Sequence, residues 1–165
     1  MIIAKDFEGL VDKTTFYEFN GSLYDESVEG IVINTDKKLK IIGFIHSRTN
    51  ISSTVGLEAT KTIEAGYGIS IGDDTKAGDD LISGGNIQAG YGIKVSGSIS
   101  AALDLKANYS IKAGLFILCK KTISTSFNVS AGQAVWKIPT LSEREITTLA
   151  VARGTVVGVL VPIVE

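Results

Sequence analysis

The chain has 165 residues, 44% of them hydrophobic and 21% charged, which suits one folded unit with a real core and leaves too little for two. A net charge of −2 argues against a protein whose main task is gripping nucleic acid, and no apolar run of about 18 residues is present to span a membrane. The single cysteine, Cys119, cannot form an internal disulfide and fits a reducing compartment, so the expected location is cytoplasmic.

Residues 1–32 begin MIIAKDFEGL, without the basic start and apolar centre of a signal peptide. They carry no repeat and contain the aromatic cluster TFYEF, which predicts an N-terminal cap on whatever follows.

From Ile33 to Leu141 the chain repeats. TIEAGYGISI at Thr62 returns as NIQAGYGIKV at Asn86 and in weaker form as SIKAGLFILC at Ser110, and the underlying period is six residues. Steps of six through Ile63 meet Ile, Leu or Val at 18 of 19 positions between Ile33 and Leu141, where about five are expected by chance; Thr75 alone breaks the series. Two residues after the aliphatic one the side chain is usually small, as at Ala59, Ala65, Ala77, Ala89, Ala101, Ala107, Ala113 and Cys119. Residues i and i+2 of a strand share a face, so both columns point inward and the polar residue between them points out. Turn formers fill the remainder, with glycines such as Gly66, Gly78, Gly84 and Gly90 supplying tolerance of positive φ. A spacing of six keeps no face of an α-helix, and one hexad is too short for a strand of an up-and-down barrel. The fold class expected is all-β, a single-stranded parallel β-helix with three six-residue rungs per coil.

On these hexads, Ile33 to Leu141 resembles the hexapeptide-repeat parallel β-helix proteins, whose triangular coils take three hexads each. One departure is visible: the family's small residue usually lies two before the aliphatic one, and here it lies two after. The resemblance implies a solenoid, and it makes two enzyme classes relevant. Carbonic anhydrases of this family use several histidines for metal, and one chain with His46 alone lacks that set. Acyltransferases of this family use a histidine base, a role His46 could take, against the plainer reading of an outward-facing surface residue whose spacing identifies no partner carboxylate.

An 18-residue coil stacks outward residues into columns. One reads Lys40, Glu58, Lys76, Lys94, Lys112, Ser130; a second reads Asn34, Ser52, Ser70, Gln88, Lys106, Ser124; a third reads His46, Glu64, Ile82, Ser100, Leu118, Trp136. A corner column reads Val55, Asp73, Tyr91, Tyr109, Phe127. The similarity at 24 residues is then a duplication of four hexads that need not match the coil. After Leu141, the alternation in EITTLAVARGTVVGVLVPIVE predicts an antiparallel pair about Arg153-Gly154, so that residues 142–165 form a C-terminal β-hairpin cap and the three segments make one folded unit.

Several residues are candidates for contact. Ile82, Leu118 and Trp136 form an expected apolar stripe for a partner, another subunit or the C-terminal hairpin. Tyr91, Tyr109 and Phe127 could stack a sugar or base, or stabilise the coils. Lys76, Lys94 and Lys112 make a possible polyanion contact, diluted by Glu58, Asp73 and Asp79 and otherwise a solvated face. GDDTKAGDD gathers Asp73, Asp74, Asp79 and Asp80, but its spacing matches no calcium-loop pattern, so solvated turns are the plainer reading. The AGYGI glycines lack the following helix that a phosphate loop requires. Cys119 falls in the inward column, which predicts packing in place of reactivity. No catalytic residues, metal or cofactor are expected.

The expected function is non-enzymatic: a rigid β-helix surface presented to another protein or to itself as a dimer or trimer, with nucleic acid and membrane disfavoured. A bacterial or phage accessory protein that inhibits a host enzyme or defence complex fits the size. The alternatives are a self-assembling, bactofilin-like β-helix and a hexapeptide-type acyltransferase using His46.

Overall fold

Residues eighteen apart lie directly over one another. Ile63 pairs with Leu81 and Leu81 with Ile99, Ile69 with Ile87 and Ile87 with Leu105, Thr75 with Ile93 and Ile93 with Ile111. A computed structural model, which describes residues 1–164, shows the all-β solenoid these ladders build, with about eight parallel turns and three faces. Face one holds Leu23–Asp25, Ile45–Ser47, Ile63–Ala65, Leu81–Ser83 and Ile99–Ala101. Face two holds Ile2–Ala4, Ile31–Asn34, Asn50–Ser53, Gly68–Ile71, Ile87–Ala89 and Leu105–Ala107. Face three holds Phe16–Phe19, Lys38–Ile41, Leu57–Ala59, Thr75–Ala77, Ile93–Val95 and Ile111–Ala113. Ile117–Ser130 then runs round all three faces as one strand.

The core follows from alternation. Ile45, Leu57, Ile63, Leu81, Ile99, Leu105, Ile111, Ile117 and Ile123 are all fully buried, and so are the small residues two positions on. Each buried aliphatic side chain contributes about 1.5–3 kcal/mol relative to leaving it exposed. The second inward position is mostly small, although Ile41, Ile71 and Val95 are also buried there. The repeated AGYGI text moves one face onward at each occurrence: Ala65 is on face one, Ala89 on face two and Ala113 on face three. Tyr67 and Tyr91 therefore sit on different corners, and the coil period is 18, not 24.

The turn glycines have a different reason from the one expected. None of Gly66, Gly78, Gly84 or Gly90 has positive φ. A Cβ on Gly84 would collide with the carbonyl oxygen of Gly66 one turn below, and one on Gly78 with that of Thr60. Close stacking of successive corners, not left-handed backbone, selects glycine.

The turn aspartates also have work. Backbone N–H groups of Gly92, Ser98 and Thr122 donate to Oδ1 of Asp74 (3.1 Å), Asp80 (2.7 Å) and Asp104 (3.1 Å), each eighteen residues earlier. Asp74 and Asp80 of the GDDTKAGDD cluster thus staple one turn to the next.

At the N-terminal end, residues 1–32 supply Ile2–Ala4, Phe16–Phe19 and Leu23–Asp25 to the three faces. They show no hexad because the corners hold extra residues: Leu23 pairs with Ile45 and Tyr17 with Leu39. Ile31, not Ile33, is the partner of Ile51, so Val32 and not Asn34 stands over Ser52. Leu10–Asp12 pairs antiparallel with Phe16–Phe19, and Phe7 packs edge-on to Phe19 at 5.7 Å against the core.

At the other end, the hexad stops at Val129. Val135 and Leu141 continue it arithmetically but are 96% and 75% exposed, because residues 131–144 leave the ladder. That excursion closes with a 3-10 turn at Ser142–Arg144, where Arg144 Nε donates to the Pro139 carbonyl (3.1 Å). Glu143 accepts from the Lys137 ammonium and the Thr140 N–H (2.9 Å), which lower its carboxyl to about 2. Glu145–Val157 rejoins the solenoid parallel to Ile117–Ser130, and Val159–Pro162 stacks parallel on Glu145–Val157. The expected reversal at Arg153-Gly154 is instead a corner: Gly154, at φ +115°, bends over Thr125, where a Cβ would clash. The antiparallel ladder among the described residues lies at the N-terminal end. Glu165, last of the 142–165 segment, lies outside the described residues.

The broken hexad leaves a trace. Thr75 is 1% exposed between Leu57 and Ile93, and its Oγ1 has no hydrogen-bond partner. Thr75→Val keeps the shape and removes the unpaired hydroxyl, so urea melts should show a gain of about 1–3 kcal/mol. Ile87→Ala opens the same core on the next face and should cost about 2–5 kcal/mol in the same measurement.

Candidate functional site

Outward side chains are fixed in columns by the ladders beneath them. On face three the column runs Glu18, Lys40, Glu58, Lys76, Lys94, Lys112, Ser130. Its lower half alternates in sign, and its upper half places three lysines directly opposite one another at about 4.8 Å per step. Glu58, opposite Lys76, makes its close ion pair with Lys38 instead. Burial raises its carboxyl, but the Lys38 ammonium, 2.6 Å away, together with Lys40 and Lys76 holds it below the usual range. Among the described residues no carboxylate lies within salt-bridge distance of Lys76, Lys94 or Lys112.

The aromatic ladder stands on the corner beside this column. Tyr91 and Tyr109 stack at 4.8 Å with planes 5° apart, and Phe127 follows at 4.4 Å, tilted by 48°. Tyr91 and Tyr109 cover one another's facing sides, while the tilted Phe127 ring is more than half exposed. Across the corner, face two brings Gln88, Lys106, Ser124 and Arg153 into one column. The corner is therefore cationic on both flanks. A shallow depression of about 500 Å³ lies beside it, lined by Tyr109, Lys112, Phe127, Asn128 and Thr155.

The expected apolar stripe is not continuous. Ser100 separates Ile82 from Leu118, and Thr147, not Trp136, stands over Leu118. Trp136 belongs to the excursion after Val129 and lies against Gly114, more than half exposed. The sequence spacing put it in the column only because the count of six was carried past the last hexad.

His46 has partners that the spacing reading missed. It stacks on Tyr24 at 5.0 Å, with Nδ1 3.3 Å from Glu64 and Nε2 3.6 Å from Glu26, and the Tyr24 hydroxyl donates to Glu26. Glu64 was legible as the residue eighteen after His46; Glu26 was not, because its turn is longer than eighteen. Among the described residues no group of three or more His, Cys, Asp or Glu side chains is placed to hold a metal ion, and no helix is long and apolar enough to cross a membrane.

Compared with family models, curated proteins and solved structures, the chain matches none.

Cys119 is fully buried, with Sγ donating toward the Leu103 carbonyl (3.0 Å), and burial pushes its thiol up. Iodoacetamide should leave it unmodified in the folded protein and label it fully in denaturant, as mass spectrometry would report. Tyr109→Ala removes a ring from between two others and should lower stability more than Tyr91→Ala, each ring pair contributing about 0.5–1.5 kcal/mol.

Proposed function

We propose that this chain is a non-enzymatic binding protein that presents the Lys76–Lys94–Lys112 column and the adjoining Tyr91–Tyr109–Phe127 corner to an acidic surface of another protein. The observation that carries the reading is the break in sign along face three. Like charges directly opposite on neighbouring strands are destabilising, and the lower half of the same column avoids them by alternating. The upper half does not, and among the described residues no carboxylate lies within salt-bridge distance of its three ammonium groups. A local rule broken without internal compensation marks a surface whose compensation comes from a partner.

The scaffold supports the same reading. The cations stand on a rigid ladder, so little backbone order is lost on binding. Kinship with the hexapeptide-repeat proteins rests on the hexads from Leu39 to Val129, and a cytoplasmic, inhibitory role rests on size and composition. In the acyltransferase alternative His46 would need one basic nitrogen turned toward an acceptor. Both of its nitrogens face carboxylates instead, which favours binding over proton abstraction.

The test uses poly-L-glutamate as probe, with oligothymidylate as comparison. Poly-L-glutamate should bind in a salt-sensitive manner and lose affinity in Lys94→Glu, while the same substitution, by restoring alternation, should raise the melting temperature. Binding that is unchanged in the variant, absent in the wild type, or stronger for oligothymidylate would remove the assignment.

A further inference from the structure

A second site, of opposite character, lies on face one, in the lower turns. Tyr24, His46, Glu64 and Ile82 are successive register partners in one outward column. Beside them Phe44, at the preceding corner, and Asp79, at the corresponding corner two turns on, complete a groove of about 470 Å³. Its floor is apolar, made by the exposed faces of Phe44, Tyr24 and Ile82. Its rim carries two carboxylates, Glu64 and Asp79, and Glu26 lies against the far side of the His46 ring. Lys61 is the one lysine or arginine in the lining.

These carboxylates are not used up within the chain. Glu64 and Glu26 each place one oxygen toward His46 and are about half exposed, which leaves their second oxygens to solvent. Among the described residues Asp79 makes no ion pair, and neither does Lys61. The His46 ring is stacked on Tyr24 and lies between Glu26 and Glu64, of which Glu64 lines the groove.

We infer that this groove receives a lysine or arginine side chain presented by a partner protein, its aliphatic stem lying on Phe44 and Ile82 and its cation reaching Glu64 and Asp79. An apolar stem ending in a charge is what an apolar floor with an acidic rim complements, because such side chains bury their methylenes while keeping the head group hydrated or paired. The groove runs along the solenoid axis and is open on one side. A free small amine would bury little surface in it, whereas a side chain carried on a protein surface gains the contacts around it. This site lies on a different face from the lysine column, so the two stand or fall separately.

The test is a titration of the isotope-labelled protein with a capped pentapeptide, glycyl-leucyl-lysyl-leucyl-glycine, followed by amide chemical shifts. The lysine peptide should perturb the amides of His46, Glu64 and Ile82, and its norleucine counterpart should not. Glu64→Gln should weaken binding about tenfold, the effect of losing one charge-assisted contact, and Asp79→Asn should weaken it in the same direction. Lys94→Glu should leave it unchanged, which separates this site from the lysine column. Shifts that are absent, that centre on another face, or that are equal for the norleucine peptide would overturn the inference. So would n-butylammonium binding as tightly as the peptide, which would make the groove a small-amine site.

Discussion

Everything in this molecule depends on residues i and i+18 standing directly over each other. Once that register is set, the inward columns are filled by a large aliphatic residue and then, in most rungs, a small one, with Ile41, Ile71 and Val95 as buried exceptions. The corners are constrained as tightly. Successive turns approach until a Cβ at Gly78 or Gly84 would strike the carbonyl below, and the exposed N–H groups there are met by aspartates from the previous turn. The period is thus enforced by packing inside, close approach at the bends, and hydrogen bonds along the edges.

The same register leaves the outward positions almost free. An outward side chain on a solenoid touches its neighbours above and below and otherwise faces solvent, so the core places no demand on it beyond avoiding an unfavourable pair. What such a column contains is therefore informative. Ser52, Ser70 and Gln88 on face two are neutral, and Glu18, Lys40, Glu58 and Lys76 on face three alternate. Against these, three consecutive lysines stand out as a choice that stability does not explain.

The strand pattern was legible wherever the spacing stayed at six. From Leu39 to Val129 the buried columns, the three faces and the Tyr91–Tyr109–Phe127 ladder all followed from counting. Outside that span counting failed for two distinct reasons. In residues 1–32 the strands exist but the corners between them vary in length, so Tyr17 and Leu23 join columns that no fixed period reaches. Beyond Val129 the opposite occurs: Val135, Trp136 and Leu141 keep the arithmetic while the backbone has left the ladder. The lysine column was visible in sequence, but its unpaired state was not, since that depends on Glu58 turning to Lys38. The groove around His46 escaped for the same reason as the N-terminal strands, because Tyr24 and Glu26 belong to a turn of irregular length.

The distribution of charge argues for function more strongly than its amount. Lysines lie elsewhere too, Lys61, Lys120 and Lys121 among them, but among the described residues the run of like charges directly opposite one another is on face three. Here Lys94 and Lys112 lie on one side of a single corner and Lys106 and Arg153 on the other, all in the upper turns. Glu64 and Asp79, with Glu26 beside His46, gather about face one in the lower turns. A chain with a net charge of only −2 has little overall field with which to attract anything, so whatever electrostatic guidance it offers must come from this separation. On the proposed reading, opposite signs on different faces of the solenoid would set both where a partner docks and which way round it sits.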